Sequence, residues 1–209
     1  VLLKLARKYV QESRSALAVP LLVDALDVSP DAILPESRQG AYLALRQAIF
    51  ALSAADRQAF ETAVSEQADL ALRVAETAAD PAAAWSKLIL RYPGSEASRQ
   101  SGRRLAALRF EQGNFRQAIE AVDLLLADPL VTDQDRHTAT CLKALAAAEL
   151  GETARARRAV DQLKAMPPGD RFALAGREFA VGAEIDRLLA LPSRGATLWG
   201  TVLGRADRT

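Results

Sequence analysis

Residues 109–129 read RFEQGNFRQAIEAVDLLLADP, and the fold turns on what the glycine in the middle does. From Phe115 the apolar side chains fall at Phe115, Ala118, Ile119, Val122, Leu125 and Leu126, the three-and-four spacing that draws one stripe along a helix. The segment before it, from about Glu96, carries small or apolar residues at Gly102, Leu105, Ala106 and Phe110 and predicts a second helix. Gly113 lies where that helix must end, because glycine accepts the left-handed conformation of a helix C-terminus, and Asn114 is placed to cap the next one. The stretch is therefore read as two helices folded into a hairpin.

One hairpin leaves its apolar stripes uncovered unless another stacks on it, so the pattern is expected to recur. About 38 residues on, AAAELGETARARRAVDQLKAMPP supplies Gly151 for Gly113 and Ala156 for Ala118, with Pro168 closing the unit. Upstream, LARKYVQESRSALAVPLLVDALDVSP places Ala6, Tyr9, Ala18, Ala25 and Pro30 at matching offsets. A weaker unit joins the long segment Ala54 to Ala78 to DPAAAWSKLILRYPGS, where Asp80 is a cap, Pro81 suits a first helical turn and Pro93-Gly94 terminates. The possible units are 1–30, 54–93, 96–129 and 133–168, within one helical domain over 1–191.

Between these units, Arg38 to Leu52 reads as a helix with Tyr42, Leu45, Ile49 and Leu52 on one face, and Ser53-Ala-Ala-Asp56 starts the next. A linker is expected around Ser29-Pro30 to Pro35-Glu36-Ser37, a helix start at Thr132, and a last helix from Gly169-Asp170 to about Leu191. The tail 192–209, SRGATLWGTVLGRADRT after Pro192, has no helical period and is expected to be extended.

Composition agrees. Half of the 209 residues are apolar, 25% are charged and only 5% aromatic, while alanine makes up roughly a fifth, which favours helices packed through small side chains over sheets. The fold class expected is all-α, an antiparallel array of helix hairpins forming an irregular solenoid. A formal net charge of +1 argues against a nucleic-acid surface, which needs clustered cations. Arg103-Arg104 and Arg155-Ala156-Arg157-Arg158 have acids nearby and read as solvated faces. No uncharged run approaches the roughly 18 residues needed to cross a bilayer. The chain begins at Val1 inside an amphipathic segment, and is expected to be a piece of a longer protein.

At these residues the chain resembles the tetratricopeptide repeat family: helix pairs of about 34 residues with small residues at the crossing, a glycine at the inner turn and a proline at the end. Departures are plain. Ser13 stands where the first turn would have glycine, Pro20 is expected to interrupt the second helix of that unit, and the Arg38 helix fits no repeat. The resemblance implies a concave surface lined by the first helix of each pair, able to hold a peptide. The residues that match its inner face are Arg7, Val10, Arg103, Ala107, Phe110 and Leu145; the alternative is that these side chains pack against neighbouring helices. With Arg7, Arg103, Ala107, Cys141 and Leu145 in place of lysines and asparagines, the family's clamp for C-terminal carboxylates is not expected.

Trp199, Gly204 and Arg208-Thr209 are spaced like the tryptophan, glycine and arginine at the start of bacterial β-propellers similar to those that bind pyrroloquinoline quinone. Proteins of that kind, notably large planctomycete ones, carry helical regions with segments similar to LRQAIFALSAADRQAFE and RYPGSEASRQSGRRLAALRFEQGNFRQAIEAVDLLL. This resemblance implies that the chain is the helical part beside a propeller, in a parent of the bacterial periplasm or cell envelope; without it, a cytoplasmic setting is expected. The alternative for Trp199 is an anchor that holds the tail on the last helix.

Reactive chemistry is sparse. His137, with Asp133 and Asp135 near in sequence, is the single histidine; a metal site would need further ligands from other segments, and none can be named. Cys141 lies one helical turn away, without an orienting partner, and reads as a core residue. His137 reads as an exposed helix-end residue. Neither GNF nor GET has the spacing of a phosphate loop. Tyr42, Phe50, Phe60 and Phe110 follow helical periods and read as core, and Asp56, Glu61, Glu66, Asp69 and Glu76 as a solvated face. No catalytic, cofactor or metal role is assigned. The expectation is a non-enzymatic domain that binds a protein or peptide, or else a spacer that positions a propeller; an enzyme would require an activity lost on changing His137 or Cys141.

Overall fold

A computed structural model describes residues 1–27, 40–167, 169–174 and 177–190. The expected linker at 29–37 with Pro30, the closing Pro168, and the tail from Pro192 with Trp199 lie outside these residues. Among the described residues there are ten α-helices and one two-stranded hairpin. The all-α array of helix hairpins read from the spacing is what the chain forms, and no helix among the described residues is long and apolar enough to cross a membrane.

The chain divides into two compact units, the first Val1–Gly102 with Asp128–Leu130, the second Arg103–Ala127 with the described residues from Val131 onward. In the first, α1 (Leu2–Gln11) and α2 (Ser15–Asp24) form a hairpin, α3 (Ala41–Phe50) lies against α1, and α4 (Ala54–Glu76) joins α2 to α5 (Pro81–Arg91). Ala6 and Ala18 have no exposed surface, which is how small residues let two helix backbones approach. Around them Leu22, Ile49, Phe60 and Val64 close a common core, each large side chain contributing about 1.5–3 kcal/mol by leaving water.

Arg99, near the start of α6 (Glu96–Glu111), is 6% exposed. Its Nε donates to Glu96 at 2.9 Å, Nη1 to the Gly94 carbonyl at 3.1 Å and to Asp128 at 3.4 Å, and Nη2 to Glu61 of α4. Burial works against the guanidinium charge, but Asp128 and Glu61 outweigh it and hold Arg99 above its ordinary value.

In the second unit α7 (Phe115–Leu126) packs on α8 (Asp133–Glu149), which packs on α9 (Thr153–Lys164) and α10 (Val181–Ala190). Helix α8 is enclosed: Ala144, Leu145, Ala146 and Ala147 have no exposed surface. Asp123 of α7 receives Lys143 of α8 at 2.6 Å and Arg155 of α9 at 3.0 Å, so part of the arginine-rich run is tied to an acid rather than left to bind phosphate.

The three hairpin turns share one bonding pattern. After α6 the Gly113 N–H reaches the Phe110 carbonyl at 3.0 Å and the Asn114 N–H the Arg109 carbonyl at 2.8 Å. After α8, Gly151 and Glu152 repeat this on Ala148 and Ala147 at 2.9 and 2.8 Å, and after α1, Ser13 and Arg14 on Val10 and Tyr9 at 3.1 and 2.8 Å. Gly113 and Gly151 sit at φ 75° and 72°, and Ser13 is forced to φ 58°. Nothing lies within 4 Å of a Cβ added at Gly113, so its glycine is required by backbone conformation and not by space. Ser13→Gly should therefore stabilise the first unit by about 0.5–1 kcal/mol, and Gly113→Ala destabilise the second by about 1–2 kcal/mol. Urea titrations of the two variants check both signs.

Local starts follow the sequence. Ser53 Oγ accepts the Asp56 N–H at 3.2 Å, Asp80 that of Ala83 at 3.0 Å and Thr132 that of Asp135 at 3.1 Å. Three expectations are corrected. Pro20 does not interrupt its helix: α2 runs through it, at the cost of the bond that the Ala16 carbonyl would receive. Asn114 is in the N-cap position but makes no capping bond; its side-chain amide donates to Gln112 at 3.3 Å. The last helix is shorter than expected, because an antiparallel hairpin of β1 (Arg171–Leu174) and β2 (Arg177–Ala180) precedes it. Asp170 spans that hairpin, its carbonyl accepting the Val181 N–H at 2.7 Å and its carboxylate the Gly182 N–H at 3.3 Å, so it still caps the helix, from the far side of the hairpin.

Candidate functional site

A cavity of about 420 Å³ opens in the second unit, among α6, α7, α8 and β1. Helical spacing brings Arg103, Ala106, Ala107 and Phe110 to one side of α6, and Asp135, Thr138, Ala139 and Leu142 to the facing side of α8. Val122 and Leu125 of α7 add apolar wall, and Phe172 reaches in from β1. At the rim Arg103 donates to Asp135, while Arg104 and Glu111 are exposed. Phe110 is held edge-to-face on Phe115, ring centres 5.5 Å apart, and Phe172 on its cross-strand partner Phe179 at 5.9 Å. The result is a preformed apolar floor inside a charged border, within the size range of about 300–1,000 Å³ of ligand pockets.

Thr138 and Phe172 also line a second hollow of about 630 Å³, with Asp133, Gln134, His137, Pro167, Arg171 and Glu178. His137 is 7% exposed, which corrects the expectation of a solvent-facing helix end: the chain around Gly169 folds back over it. Its Nε2 lies 2.7 Å from the Gly169 carbonyl. A carbonyl only accepts, so that nitrogen carries the proton and in the neutral ring Nδ1 is an acceptor. Cys141 Sγ is 3.9 Å from both ring nitrogens.

That closeness does not make a nucleophile. Burial, with the Asp170 charge adding to it, pushes the Cys141 thiol up to about 12, so it stays protonated at neutral pH. The shift also fixes a pH response. A thiol free in the unfolded chain ionises near 9, whereas the folded one does not. Its contribution is complete below pH 9 and is lost as pH rises toward 12, by about 1.4 kcal/mol per unit and about 4 kcal/mol in total. Stability curves of the parent chain and Cys141→Ala from pH 7 to 11 should accordingly converge above pH 9; parallel curves would contradict the assignment. Among the described residues no group of three metal-ligating side chains converges.

Of the residues expected on an inner face, the structure brings Arg103, Ala107 and Phe110 together at the apolar cavity of about 420 Å³. Arg7 and Val10 line a different cleft of about 220 Å³ in the first unit, with Gln11, Gln47, Ala48 and Ala51. Leu145 is fully buried in α8 and lines none of these cavities; it packs, as does most of Phe110, which is 1% exposed. Asp135, Thr138, Leu142 and Phe172 were not anticipated. The first three lie at three-and-four spacing on α8, which could have marked them as a face, and Phe172 alternates with polar Arg171 in the manner of a strand. No protein-family model matches this chain, and no match was found among curated proteins or solved structures.

Proposed function

We propose that the chain is a non-enzymatic interaction domain, whose second unit receives a segment of a protein partner in the groove between α6 and α8. The observation that carries this reading is the cavity of about 420 Å³, where apolar walls from Ala107, Phe110, Leu142 and Phe172 are bordered by Arg103, Arg104, Glu111 and Asp135. An apolar pocket with a polar rim is how interfaces concentrate their binding energy. The finer family reading, an irregular tetratricopeptide-like domain next to a quinone-type β-propeller in a bacterial envelope protein, belongs to the same proposal and is supported by the repeated turn chemistry at Ser13, Gly113 and Gly151.

The test places a photo-crosslinking residue at Ala107, which is half-buried in the cavity wall, and in a second variant at Arg157, which is exposed on α9. Expression in the native cell should give a discrete adduct from the first and none from the second. Equal labelling from both positions, or none from either, would sink the interaction reading and leave the spacer. The spacer has its own support in the burial of Phe110 and Leu145 and in the Arg103–Asp135 pair that partly occupies the rim.

A further inference from the structure

Helix α4 presents two large apolar side chains to solvent, Leu70 at 56% and Val74 at 63% exposure. They are four residues apart and share a face. Glu66 lies one turn before Leu70 on that side and Arg73 beside Val74, both exposed. The acid and the base are thus seven residues apart, about 10 Å along the helix.

The border of the groove carries the opposite order at the same spacing. Arg104 stands at one end of the cavity on α6 and Glu111 at the other, again seven residues and about 10 Å apart. A helix laid parallel along α6 with Glu66 beside Arg104 brings Arg73 beside Glu111 in the same register. Leu70 then lies over the wall formed by Ala107, Phe110 and Leu142, and Val74 at its Glu111 end. An apolar anchor with a second one turn on, set among charges that match the border, is what a groove built to take a helix requires.

We propose that this groove takes helix α4 of a second copy of the chain; the proposal rests on the reading of the groove as a docking surface and names its occupant. Donor and acceptor faces differ, so the contact is head-to-tail and each added copy offers a further face. Sedimentation equilibrium should show a mass that rises with concentration past that of a monomer. Arg73→Glu and Glu111→Arg, both at exposed positions, should each weaken association about tenfold or more. An equimolar mixture of the two should regain it, because the altered helix of one then fits the altered groove of the other.

A monomer at all concentrations up to about 1 mM overturns the proposal, and so does association that neither charge reversal weakens or that the mixture does not restore. A chain that remains monomeric while its Ala107 position still crosslinks to an unrelated protein overturns self-docking and leaves the interaction reading intact. Charge-dependent self-association without any other adduct supports the proposal and identifies this chain itself as the partner.

Discussion

Arg99→Met is expected to cost the first unit about 3–5 kcal/mol, the penalty for removing one partner from a buried ionic cluster. The methionine fills much of the same volume, so the loss is electrostatic. Glu61 and Asp128, 14% and 6% exposed at their side chains, would be left facing each other with the cation gone, and the Gly94 carbonyl would lose its donor. Arg99→Lys should recover only part of the stability, since an ammonium point charge cannot direct N–H groups along the separate lines to Glu96, Asp128, Glu61 and Gly94 that the planar guanidinium serves at once. Urea midpoints of the three proteins decide it; a lysine variant as stable as the parent would mean that charge alone, without the geometry, holds the cluster.

Phe110→Ala should destabilise the second unit by about 3–5 kcal/mol. The ring is 1% exposed and braced on Phe115, and it forms a wall of the existing cavity. Its removal therefore enlarges an open space that the neighbours cannot easily collapse to fill, which places the cost toward the upper end. Phe110→Leu keeps much of the volume and should cost about 1 kcal/mol while loosening the edge-to-face contact. Guanidinium titration measures both, and a loss below about 1 kcal/mol for the alanine variant would show that the wall is not part of the packed core.

What the sequence disclosed well is local. The turns at Gly113 and Gly151 and the caps at Ser53, Asp80 and Thr132 involve residues three to five apart, and the chemistry that fixes them is visible in a short window. The resemblance to tetratricopeptide repeats pointed to Arg103, Ala107 and Phe110 of α6, and these three line the cavity. The Arg99 cluster escaped because Glu61 and Asp128 are 38 and 29 residues away, a pairing that no periodicity announces. The hairpin escaped because RFALAGREFA is rich in residues that also suit helices, and the contact that decides it, Phe172 on Phe179, exists only once the strands pair. His137 was misplaced for a related reason: its cover is the Gly169 backbone, which carries no side-chain signature.

The identical bonding at Gly113 and Gly151 makes the chain between them an interchangeable part. Excising residues 113–150 joins Gln112 directly to Gly151, and duplicating them joins Leu150 to a second Gly113; in either product each junction keeps a glycine one step past a helix end and the same pair of carbonyls to receive its N–H groups. The length of this protein can thus be reset in whole increments by cutting at a seam that the backbone itself repeats, which makes the seam a natural register for building shorter or longer versions of the array.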